Sequence, residues 1–219
     1  MKKIYLKLNT EKNELLLLGI SLKDILLYLK NIKIEHYLVI KGDYIGEKVV
    51  QGFEIVDHTN INALIDSFKY GGSLVLVDFQ KDLSELKMSD SDIMELLYTA
   101  HLWEVYKNSY FESLNNRIIL ISHDDSWHMK IYFNDIKCLN NTIFEILKKQ
   151  VSPIDLNLFE DFIHNHFFDI IRKGVFVGTD KNKKILTVRN IGIVCHDMDD
   201  VENKWEMGVE QEIFNFGEK

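Results

Sequence analysis

Apolar positions along this chain alternate between two periods, and the changes of period mark out its elements. Ile25, Leu26 and Leu29 repeat at helical spacing behind Ser21 and Asp24, which predicts a capped helix over 22–30. Asn60 precedes Leu64, Ile65 and Phe68, a second helix over 61–69 stopped by Gly71-Gly72. Ser89 and Asp92 open a third through about Val105, with Ile93, Leu96, Leu97, Ala100 and Trp103 on one side. Ile136, Leu139, Ile143 and Ile146 share one face of a fourth, over 135–149. Ser152 before Pro153 starts a fifth, whose inner face reads Leu158, Phe159, Phe162, Ile163, His166, Phe167 and Ile170. Asp197 and Asp200 open a sixth that carries Met198, Val201 and Trp205 and ends at Gly208.

Between these helices lie strand-like runs at 3–8, 14–18, 36–41, 73–79, 116–122, 128–133, 174–178, 184–188 and 190–195. Short, evenly mixed elements with several hairpins predict an α+β fold rather than a strictly parallel α/β sheet. The expected architecture is a mixed or largely antiparallel sheet with about six helices and a hairpin at 116–133. No repeat or linker divides the chain, so residues 1–219 read as a single α+β domain. A soft lobe boundary is expected near 151–153, just ahead of helix five.

The richest stretch chemically is the turn of that hairpin. Arg117 to Ser122 is largely apolar, and Met129, Ile131 and Phe133 alternate with Lys130 and Tyr132. Between them sit His123, Asp124, Asp125, Trp127 and His128, the candidate site. In an antiparallel hairpin the two histidines come nearly opposite, with Cβ atoms roughly 5 Å apart. Two imidazoles and a carboxylate suit a divalent ion, so His123, His128 and Asp125 form the metal alternative. The plainer reading is a polar turn, because Asp carboxylates accept bonds from nearby amides. A working site also needs a polar group from a distant segment, for which His101, Glu104 and His196 are the candidates.

Other motifs fall to simple geometry. His164 and His166 resemble an H-x-H metal pair, yet residues two apart on a helix diverge by roughly 200° around its axis. His166 belongs to the apolar face and His164 to the outside. Neighbours Cys195, His196 and Asp197 are poor evidence of a nucleophile and base, since Asp197 is explained as a helix cap. LVLVD at 74–78 is followed by no phosphate loop, and GDYIGEK at 42–48 lacks the P-loop ending, so Asp78 reads as the end of a buried strand. No GxSxG elbow is present.

Charge narrows the partners. The net charge of −8 disfavours nucleic acid and anionic lipid, and the basic runs Lys148-Lys149 and Lys183-Lys184 are only pairs. Two cysteines, Cys138 and Cys195, suit a reducing, cytoplasmic setting. The most apolar stretch is broken by Lys23 and Asp24, so no membrane association is expected. No cofactor motif is recognised.

These features lean away from an enzyme and toward a cytosolic protein-binding module. Tyr98, Trp103, Tyr106, Tyr110 and Phe111 form an aromatic-rich run that suits an interface. Size and acidity are similar to those of immunity proteins, toxin-neutralising partners as a class; the likeness is compositional. The rival expectation is a metal-dependent hydrolase built on His123, Asp124, Asp125 and His128.

Overall fold

The computed structural model describes residues 4–30, 34–42, 52–67, 73–79, 85, 87–101, 114–123, 128–134, 136–150, 156–172, 175–179, 185–190 and 210–215. It is a mixed α+β protein whose registered strand pairs are all antiparallel among the described residues. The chain forms two compact units: Met1–Thr10, Leu15–Gly19 and Asn140–Lys219 in one, Glu11–Glu14 and Ile20–Leu139 in the other.

The second unit holds five strands in the order β4 (Glu54–Asp57), β3 (His36–Gly42), β5 (Ser73–Phe79), β6 (Ile118–His123) and β7 (His128–Phe133). Val75, Val77, Leu74 and Leu76 are all fully buried, as are Ile119, Leu120 and Ile121. Continuous apolar runs of this kind belong to strands covered on both faces. Helix α3 (Asp90–His101) covers one face, where Ile93, Leu96 and Leu97 pack in a core with Leu38, Ile40, Val75, Val77, Ile119, Ile121 and Tyr132. On the other, the Tyr37 hydroxyl reaches the Leu29 carbonyl of α1 (Leu22–Lys30) at 3.5 Å. Helix α2 (Ile61–Ser67) packs against α1.

The helix starts follow the capping residues. The Ser21 hydroxyl accepts from the Asp24 amide at 3.1 Å. At α3 the exchange is reciprocal: the Asp92 amide donates to Ser89 Oγ at 3.2 Å, and the Ser89 amide to Asp92 Oδ2 at 3.1 Å. The Ser89 hydroxyl, donating to Asp92 Oδ2 at 2.7 Å, and the Ser89 amide together hold the Asp92 carboxyl below its usual range.

In the first unit the strand order is β10 (Glu210–Asn215), β9 (Ile185–Asn190), β8 (Val175–Thr179), β1 (Ile4–Asn9) and β2 (Glu14–Leu18). Ile4, Leu6 and Leu8 are buried while their neighbours are half-buried, the alternation of a strand with one inner face. Helix α4 (Ile136–Gln150) brings Phe144 to 5.5 Å from the ring of Phe159 in α5. Helix α5 spans 156–172 and contains a π turn at Ile163–Phe167.

Several expectations need correction. Five helices are described, one fewer than the about six expected; the helix at 197–208, like the boundary at 151–153, lies outside the described residues. β4 and β10 were not expected, and β9 runs through the break foreseen between 188 and 190. In α5 the π turn holds one extra residue, so Phe167, as expected, and Ile171 in place of Ile170 follow Phe162 and Ile163 into the core, while His166 turns out of it. His166 is exposed, and so is Leu158, at 51%.

Candidate functional site

Hairpin β6–β7 is registered from Ile118↔Phe133 through His123↔His128, so the two histidines are direct backbone partners at the open end of the ladder. Opposed residues of an antiparallel pair lie on one side of the sheet, and the side repeats every second residue. Positions 123 and 128 therefore share a face with Ile121, Lys130, Ile119 and Tyr132. Asp124, Asp125 and Trp127 lie outside the described residues, as do Glu104 and His196, while His101 is the last described residue of α3. Of the aromatic run, Tyr98 belongs to α3, and Trp103, Tyr106, Tyr110 and Phe111 lie outside the described residues. Among the described residues, no group of three or more His, Cys, Asp or Glu is arranged to hold a metal ion.

The sequence reading passed over a polar cluster on this same face. Lys130 Nζ lies 3.5 Å from Glu14 Oε2, with both side chains largely buried. Burial pulls the Lys130 ammonium below its usual range, and the Glu14 charge partly restores it. The Tyr132 hydroxyl also bonds to Glu14; burial and this bond together push its ionisation up. The Phe133 amide donates to the Asn13 carbonyl at 3.0 Å, which fixes the Glu14 segment beside β7. Because Glu14 neutralises Lys130, the cluster adds little net charge near positions 123 and 128. Its polar alternation within 128–133 was the available signal, but Glu14 is too distant in sequence to be paired with it by eye.

The opposite end of β6 has a different chemistry. Asp78 is fully buried at the end of β5, as expected of a buried strand end. Its Oδ1 accepts from the backbone amides of Arg117 at 2.8 Å and Ile118 at 2.6 Å. Arg117 Nε stands 3.6 Å from Oδ2. Burial outweighs these contacts and pushes the Asp78 carboxyl up to about 6. Burial also raises the neighbouring Tyr37 hydroxyl, and the Asp78 charge adds to the effect. Its bonds to the first amides of the strand fix where β6 begins.

No family model matches this chain, and neither curated proteins nor solved structures show a significant match to it.

Proposed function

We propose that the protein is a cytosolic module that binds another protein, with a toxin-neutralising, immunity-type role as one version. The observation that carries this reading is the first turn of α5, where Leu156 and Leu158 are 46% and 51% exposed. Exposed Glu160 and Asp161 follow them directly. Apolar anchors rimmed by carboxylates suit a partner surface that is basic and carries apolar pockets. The chain's net charge of −8 favours the same sign of partner. The aromatic run Tyr98, Trp103, Tyr106, Tyr110 and Phe111 is the proposed companion anchor set.

Affinity capture from native lysate tests the reading when it is paired with a double variant, Leu156→Glu and Leu158→Glu. A stoichiometric basic partner that is held by the parent and released by the variant is expected. Absence of such a partner across growth conditions, or one indifferent to the substitution, overturns it.

The direct pairing of His123 with His128 favours a second reading, a metal-dependent hydrolase. His123, His128 and Asp125 would hold the ion, the ion would lower the pKa of a bound water, and Asp124 would take its proton. Elemental analysis of untagged protein decides this: stoichiometric zinc or manganese that disappears on replacing both histidines supports it. Metal content indifferent to that replacement rejects it.

A further inference from the structure

A histidine outside the hairpin is held by side chains from two neighbouring strands. Asp57, His36 and Phe79 stand in one row across three strands, since His36 is the register partner of both Asp57 on β4 and Phe79 on β5. All three therefore share a face. His36 Nδ1 lies 3.0 Å from Asp57 Oδ1. On its other flank the imidazole stacks on the Phe79 ring, with centroids 5.1 Å apart and planes 28° apart. An ionised carboxylate only accepts, so Nδ1 is the donor of this bond, and in the neutral ring the lone pair sits on Nε2. The side chain of His36 is 21% exposed and that of Asp57 51%, so the pair lies at the surface of the sheet.

The conformation of Asp57 separates this pair from a casual ladder contact. Asp57 occupies the N-cap position of the short helix His58–Asn60 with extended backbone, where an Asp side chain ordinarily bonds the helix amides. Here it makes no capping bond and is turned to the imidazole instead. The His58 amide donates to the Glu35 carbonyl at 3.0 Å, extending the ladder past the pair and fixing Asp57 from its far side.

The geometry points to His36 and Asp57 as a general-base dyad that activates water against a neutral, apolar carboxylic ester. Nε2 removes a proton from water as the water oxygen bonds to the carbonyl carbon. The tetrahedral adduct then breaks its bond to the alkoxy or aryloxy oxygen, and the proton on Nε2 passes to that leaving group or to solvent. Asp57 holds the ring and stabilises the imidazolium formed between these steps. Substrate class follows from the surroundings. Ile55 lies two residues before Asp57 on the same face and is 41% exposed, an apolar surface beside the pair. The chain's net charge of −8 disfavours anionic phosphate esters.

Hydrolysis of p-nitrophenyl acetate by the full chain tests this. The parent should exceed the rate of the same chain in denaturant and show a normal solvent deuterium isotope effect. His36→Gln should remove about 100-fold of the rate together with the isotope effect. Asp57→Asn should cost at least about tenfold, because an amide lets the ring take the other tautomer. A parent no faster than its denatured chain, or a folded His36→Gln variant that retains the rate, overturns the proposal. A rate that disappears with chelator or on replacing His123 and His128, but not with His36→Gln, overturns it in favour of the metal reading. If His36→Gln does not fold, long-range proton–nitrogen spectra of the parent decide: an Nδ1–H tautomer is expected, and an Nε2–H tautomer overturns the proposal.

Discussion

The two ends of strand β6 carry polar residues that the fold holds in different ways. At its start, the Asp78 carboxylate is fully buried and bonded to the amides of Arg117 and Ile118. At its end, His123 and His128 are register partners that close the ladder. A buried carboxylate with main-chain partners fixes topology, since removing it orphans two amides. A polar pair at the last rung of a ladder contributes little to topology, so its identity is open to selection for something else. Burial and main-chain bonding mark Asp78 as a structural polar group.

Asp78→Ala should do the greatest damage. It strips two buried amides and a guanidinium of their acceptor, and a loss of about 3–5 kcal/mol is expected from chemical denaturation. A loss below about 1 kcal/mol would remove the contrast between the two ends. The same carboxyl sets a pH dependence. Its folded pKa is about 6 against an ordinary value of 3.8, so the folded state binds the proton more tightly. Stability should therefore fall as pH rises from about 4 to about 6, by up to about 3 kcal/mol from this group. Asp78→Asn should flatten that slope in denaturant midpoints measured across the range, whereas replacing His123 and His128 should leave it in place.

Ser89→Ala should cost about 1 kcal/mol, the ordinary worth of an N-cap, read as a lowered midpoint. It calibrates a local bond against the long-range anchor at Asp78. The smallest effect should come from His123→Gln with His128→Gln, within about 0.5 kcal/mol of the parent. A loss comparable to that of Asp78→Ala would show the pair to be structural and erase the difference between the ends.

What was legible in the sequence follows from how local each cause is. Ser21 with Asp24 and Ser89 with Asp92 act within one helical turn, so the helices they open could be read directly. His123 opposite His128 was legible for the same reason, because a short turn sets its own register. β4 was not legible: it has four residues, two of them exposed, and lacks a clean alternation. Missing β4 also hid the contact of His36 with Asp57, which exists only through the β3–β4 register. Glu14 beside Lys130 escaped on the same ground of distance along the chain. His166 misled because a strict helical period places it inward, and nothing in its immediate neighbours announces the wider turn.

That wider turn gives α5 a spare residue. Its inner positions are Phe159, Phe162, Ile163, Phe167 and Ile171, and the interval from Ile163 to Phe167 is the one the π turn occupies. Deleting Asn165 would let the segment close into an ordinary α-helix with Phe and Ile still facing inward. The same deletion nearer Phe159 would swing every later side chain by roughly 100°. Related chains should thus differ in length by one residue within 163–167 far more readily than elsewhere along this helix, and the exposed imidazoles of His164 and His166 ride on the segment that is free to be lost.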